Sequence, residues 1–197
     1  TSYDASFQHH FELPPLAIHV TKPRPSISCP VSHYPPMFLG ADSCAGGAAT
    51  GYAPLIHGPL TPVNWVIEGM SADALVPVMG SGVAVFLVQD RDTSEDLILH
   101  YGGMLQCDPD LVTTSVASSS QIGHYFNATH GENGAQFHTA NPDDAFMKLP
   151  GGRQVRLEVN EDGAFGMMVT PLHPLDPRMV TAVHLWVSKD GVYRPPG

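Results

Sequence analysis

From Ala53 onward the apolar positions recur in short, strand-sized groups. Val63–Ile67 is one such group, and Val83–Val88 reads VAVFLV with no polar break, the pattern of a strand buried on both faces. Gly80 and Gly82 precede it, and Gln89-Asp90-Arg91-Asp92 ends it. Met104–Cys107 and Leu111–Ala117 read as further strands. Val155, Leu157 and Val159 alternate with Arg156 and Glu158, which predicts a strand with one wet face. Phe165–Thr170 and Val180–Val187 complete the series. Ser94, followed by Glu95 and Asp96, predicts a short helix through Ile98 and Leu99. Ser caps the first N–H groups of a helix, and acids suit its positive end. Residues 118–147 show no clear period: three serines, then His124, His130 and His138 among Gly and Asn. About eight short strands, Pro/Gly turns and almost no helix predict an all-β fold, an antiparallel eight-stranded jelly-roll β-sandwich.

The first fifty residues differ in texture. Pro14, Pro15, Pro23, Pro25, Pro30, Pro35 and Pro36 are followed by the small-residue run Ala41–Gly51. Proline fixes φ and removes a donor, so neither a long helix nor a central strand is expected there. Residues 1–50 therefore read as an extended N-terminal arm with an edge strand, and 51–197 as the jelly-roll main domain. Leu13, Leu16, Ile18 and Val20 would dock the arm on a neighbouring surface.

Composition narrows the function classes. The 197 residues carry 9 Lys+Arg against 19 Asp+Glu, a formal charge of −10, which argues against a basic-patch nucleic-acid binder. Charged residues make up 14%, against the usual quarter, which suits a chain that buries surface against copies of itself. No apolar run has the length of a membrane-spanning helix, and no membrane partner is expected. Thr1–His10 lacks the basic and apolar regions of a signal peptide, although a processed start stays open. Cys29, Cys44 and Cys107 cannot all pair within one chain, and no CxxC spacing occurs. Reduced thiols are the expected state.

Catalytic patterns are weak. His124, His130 and His138 offer three imidazoles to a metal, but on a Gly/Asn-rich loop with no sequence reason to converge. No nucleophile elbow, phosphate loop or dinucleotide fingerprint occurs. His57 and Cys107 would make a thiolate nucleophile only if folding joined them; the plainer reading of Cys107 is a buried, inert thiol. Asn127-Ala128-Thr129 matches a glycosylation sequon, and His9-His10 a weak metal ligand pair; the plainer readings are chance and a polar start. The excess of histidine matters more. Protonating all 11 would carry the formal charge from −10 to about +1, so the chain's tolerance of a polyanion is set by the range in which histidine titrates.

Three blocks carry a family resemblance. His57-Gly-Pro-Leu60, with Val63 and Ile67 after it, resembles a segment of tymovirus coat proteins with the same spacing of His, Leu, aliphatic and Ile. Gly82–Val88 is similar to the next strand of that family. Tyr101-Gly102-Gly103, with Cys107 four residues beyond the second Gly, resembles a family Tyr-Gly-Gly with Cys at that offset. The likeness spans about 50 residues of the 197. It implies a jelly-roll coat protein of the Tymoviridae kind, without catalysis, that self-assembles into an icosahedral shell around positive-sense single-stranded RNA. It implies residence in the virion and, during assembly, the host cytoplasm. It implies no bound cofactor, with polyamines or divalent cations as RNA counter-ions.

The resemblance gives His57 an RNA-facing, pH-sensitive role, and Gly102 and Gly103 a sharp structural turn or a close approach to another chain. It puts Leu60, Val63, Ile67, Val83, Val85, Leu87 and Cys107 in the core. Departures are visible too. Asp108-Pro109-Asp110 replaces a Gly-containing stretch, residues 108–152 are longer than the family's equivalent, and Tyr193-Arg194 stands near the place of a second interior histidine. They suggest a more distant genus of the family. The alternatives are a β-sandwich metal-binding enzyme or ligand-binding domain using His124, His130 and His138, and a detachable viral receptor-binding module.

Overall fold

The computed structural model describes residues 33–42, 45, 47–68, 70, 75–130 and 136–189, with the backbone alone for 127–130. All fall in the compact unit Val31–Gly197. The expected arm over 1–32, its Leu13, Leu16, Ile18 and Val20, His9-His10, Cys29, Cys44 and Tyr193-Arg194 lie outside the described residues.

The fold is mostly β and is organised around one long hairpin. Strand β5 (Val76–Gln89) pairs antiparallel with β6 (Asp96–Cys107). The turn between them is made by Asp90, which accepts the backbone N–H of Asp92 at 3.0 Å and of Thr93 at 3.1 Å. Ser94 sits at φ +58 in this turn. The helix expected from Ser94 is therefore a strand. Its apolar residues alternate, Leu97 and Leu99 into the main core and Ile98 to the other face, which no helix allows.

Gly103 explains how β6 serves two cores. The register steps from Gly82↔Met104 to Val83↔Gly102, so Gly103 has no partner and adopts φ +83. This is a β-bulge, and the extra residue resets which side chains face inward. Leu97, Leu99, Tyr101 and Met104 thus all reach the main core, while Leu105 and Cys107 turn outward to a second cluster with Val76, Val78 and Val112. Gly102 and Gly103 lie inside a strand rather than at a reversal. Gly102 makes the close approach: a Cβ there would meet the carbonyl oxygen of Lys189 at 2.7 Å.

Beyond β6 the chain pairs in both directions. Strands β13 (Val183–Ser188) and β2 (Ala49–Thr50) lie parallel to it. β2 continues antiparallel to β7 (Ser115–Ser118), and β7 parallel to β1 (Met37–Asp42). β1 pairs antiparallel with β12 (Phe165–Pro171), which also holds β11 (Glu158–Val159). β12 then meets β5 again through Thr170↔Leu87 and Pro171↔Phe86. The path β12-β1-β7-β2-β6-β5 therefore closes on itself. Leu39, Phe86, Leu99, Ala117, Met167 and Val169 from these strands share the main core. Strands β3 (Ile56–Thr61) and β4 (Val66–Ile67) are added along β5. Strands β8 (Gln136–His138), β9 (Phe146–Lys148) and β10 (Gln154–Arg156) form a separate sheet, from which Met147 and Val155 enter the same core.

Several expectations are corrected here. Among the described residues the main sheet is mixed and ten-stranded, not a purely antiparallel set of eight. Residue alternation reports which face is buried, but not the direction of the partner strand. β1 is paired on both sides and carries the fully buried Leu39, so it is no edge strand of an arm. No proline interrupts Met37–Asp42, so both edges can donate. Residues 118–147 contain a helix, α1 (Ser119–His130), started by Ser118, whose Oγ accepts the N–H of Gln121 at 3.2 Å. Leu60, Val63, Ile67 and Val83 are only partly buried: the first three lie on or between β3 and β4, outside the closed path, and Val83 lies on the face of β5 turned away from the main core, at the margin of a smaller cluster. Val85, Leu87 and Cys107 are buried.

Candidate functional site: a histidine–aromatic face

The outward face of the hairpin brings together residues far apart in sequence. His57 on β3 pairs with Val83, His100 on β6 pairs with Val85, and Trp186 on β13 pairs with His100. Side chains of paired residues share a face, as do alternate residues of one strand. His57, His100, His184 and Trp186 therefore stand on one side of the sheet. Beneath them lie the buried Val85, Leu87, Ile98 and Leu172.

A strap formed by residues 172–182 fixes the imidazoles. The Nε2–H of His57 donates to the carbonyl oxygen of Leu172 at 2.6 Å, since a carbonyl can only accept. The Nε2–H of His184 donates likewise to Met179 at 2.9 Å. A neutral His184 then keeps Nδ1 as an acceptor, and the Nε2–H of His100 fills it at 2.7 Å. The 5.0 Å between the His100 and His184 centroids is that of two rings joined edge to edge by this bond, whereas Trp186 stacks on His100 at 4.9 Å and 27°. Burial pulls the His100 pKa below its ordinary value, and the neighbouring His184 and His57 act in the same direction.

The strap is itself pinned. The guanidinium of Arg178 grips Asp176 through Nε at 3.0 Å and Nη2 at 2.8 Å. Asp176 is buried, and this grip holds its carboxyl below the usual range. Helix α2 (Arg178–Thr181), which carries the Met179 carbonyl, starts from this pair. Among the described residues the charged and titratable groups around the face are thus His57, His100 and His184, with His173, Asp176 and Arg178 on the strap; Asp96 also acts on Arg178, and His33 on Asp176.

The other proposed ligands do not gather. His124 is exposed on α1, and His138 on β8 stacks on Phe146 at 4.4 Å. The side chain of His130 lies outside the described residues. Among the described residues no three His, Cys, Asp or Glu side chains form a metal-binding group. Burial pushes the Cys107 thiol up, opposite to what a nucleophile needs, and Cys107 packs in the second cluster rather than beside His57. An open groove of about 490 Å³ lies elsewhere, lined by Gly47, Ala49, Asn64, Trp65, Val66, Ile67 and Leu105.

Sequence reading singled out His57 but missed His100, His184 and Trp186. Their signal was present: His184 and Trp186 are two apart in a segment already read as a strand, so they share a face. What joins that face to His57 is the parallel pairing of β13 with β6, which no local pattern encodes.

No family model matches the chain, and comparison with curated proteins and with solved structures returns no similar protein. No described helix is long and apolar enough to cross a membrane.

Proposed function

We propose that the chain is a coat protein of the tymovirus-like kind, which self-assembles into an icosahedral shell around positive-sense single-stranded RNA. The β fold is read as a jelly-roll variant, with the closed path of strands as its barrel. The observation that carries the proposal is the histidine–aromatic face. His57, the position given an interior role by the resemblance, stands on it with His100 and His184 in a chain that has few other cations.

On this reading the imidazoles tune how tightly RNA is held. Above the histidine range the face is neutral and the chain strongly acidic, so the shell is held to RNA weakly. Acidification adds positive charge next to phosphate. No residue acts as a catalyst. The exposed Val66, Leu75 and Met79 along β4 and β5, together with the neighbouring groove, suit contacts between subunits.

Size exclusion with light scattering, and absorbance at 260 and 280 nm on the same peak, tests the reading. A megadalton particle is expected. A stable species of a few chains in every buffer between pH 5 and pH 8 overturns it. Within such particles, His57→Ala is expected to release RNA more readily at pH 5 and to match the wild type at pH 8. Equal retention at both pH values removes His57 from the switch.

A further inference from the structure

Trp186 is 40% exposed and belongs to none of the three apolar clusters. The fold uses its strand neighbours otherwise: Leu185 packs against the main core and Val187 is buried in it. An indole left out of the core is nevertheless held in place. It stacks on His100 at 4.9 Å and 27°, and His100 is fixed in turn by its hydrogen bond to His184. His184 is anchored to the Met179 carbonyl. The result is a pre-ordered aromatic surface facing solvent, with its ordering cost already met by the chain.

A second observation concerns charge. Single-stranded nucleic acid is ordinarily held by a basic groove and by aromatic rings on which bases stack. Among the described residues this face presents no basic groove: Arg178, the strap's cation, is committed to Asp176 by two hydrogen bonds, and the chain as a whole carries more than twice as many acids as bases. Stacking needs no charge and tolerates any base.

We propose that Trp186, braced by His100 and His184, is a stacking site for the bases of single-stranded RNA. The inference rests on the coat-protein reading and adds to it how RNA is contacted when the histidines are neutral. The two contributions separate by condition. Stacking persists at pH 8 and resists salt, whereas the histidine contribution appears on acidification and is screened by salt.

The test uses the full chain. The protein has two tryptophans, so W65F leaves Trp186 as the sole indole reporter. Short oligoadenylate and an abasic ribose-phosphate oligomer of equal length are titrated at pH 8 in moderate salt. Oligoadenylate is expected to quench Trp186 fluorescence and to bind at least tenfold more tightly than the abasic oligomer. In the wild-type background W186A is expected to weaken oligoadenylate binding about 10- to 100-fold, the equivalent of one lost stack. W186F is expected to retain most of the affinity. Should W186A fail to fold, the quenching in W65F and the affinity of W186F still decide.

Equal binding of the two oligomers, or an unquenched Trp186, overturns the stacking site. So does a spectral shift of Trp186 that follows protein concentration without RNA, which would make the face a contact between subunits. If RNA-filled particles form while Trp186 stays silent, the stacking site fails alone. If the chain neither assembles nor binds either oligomer, the coat-protein reading fails with it.

Discussion

Protonating His100 places a charge on a half-buried ring close to two other histidines, although its Nε2–H bond to His184 survives. With His184 donating to Met179, the His100–His184 contact accommodates one extra proton but not two, because two N–H groups would then face each other. The folded state therefore resists taking up a proton that the unfolded chain accepts near the ordinary value of 6.5. The sign follows: stability is full above that value and declines as pH falls from it toward the lowered folded pKa. His100→Gln, which still donates but does not titrate, is expected to flatten this decline. Urea midpoints at pH 7.5 and 5.5 check it, and parallel pH slopes for the two proteins would refute it. The residue scale also shows how far a motif can be read. Tyr101-Gly102-Gly103 signalled a special backbone in the sequence; in the fold Gly102 is approached by the backbone of its own chain at Lys189, and Gly103 takes a positive φ. That these occur inside a strand depends on β5 and β13, which the motif does not contain.

At the scale of elements, the β5–β6 turn is the most heavily tied. Beyond its bonds to Asp92 and Thr93, the carboxylate of Asp90 accepts the N–H of Gln154 at 3.3 Å, coupling the hairpin to β10. Arg153 pairs with Glu95 and lies 3.8 Å from Asp90, and Arg91 pairs with Asp144 while covering the Phe146 ring at 4.7 Å. Burial pushes the Asp90 carboxyl up, but its backbone hydrogen bonds outweigh this and leave it below the usual 3.8. Asp90→Ala strands several N–H groups at once, so a loss of about 1–3 kcal/mol at pH 7 is expected. The contribution is present above the ordinary pKa and lost as pH falls through the folded one, so the gap between wild type and variant should be narrower at an acid pH below 3.8 than at pH 7. Urea unfolding at both pH values measures this; a constant gap would mean that the carboxylate's charge is irrelevant. The elements also mark where local reading succeeds. Strands β5 and β12 announce themselves through unbroken or alternating apolar residues. Helix α1 does not: Gly123, Asn127 and Thr129 are poor helix formers, and only Ile122, Tyr125 and Phe126 carry the helical spacing. Packing of Ile122 and Phe126 in the core stabilises what propensity alone would not.

For the molecule as a whole, the class of fold was legible and its wiring was not. Alternation identifies faces, and faces suffice to infer a β protein with an internal core. Which strands meet, and in which direction, is decided by contacts across the sequence: β1 to β7, β2 to β6 and β13 to β6 run parallel, against expectation. The candidate site shared this fate, since His57 was found by resemblance while His100, His184 and Trp186 became its neighbours only through that wiring.

The closure of β12 on β5 has its own consequence. Just two residue pairs make it, and one of them involves Pro171, which has no amide hydrogen to give. Losing those pairs would turn a tube into a strip while leaving the β5–β6 hairpin intact. Breathing of the subunit should therefore begin at this seam. In deuterium-exchange measurements the amide of Thr170, and whichever of Phe86 and Leu87 turns its N–H toward β12, are expected to label well before those of Ile98 to Tyr101, while the other of the two stays protected by β6. Uniform protection along both strands would show that the seam is as firm as the rest of the wall. A seam that yields first would give the subunit a way to change curvature without unfolding.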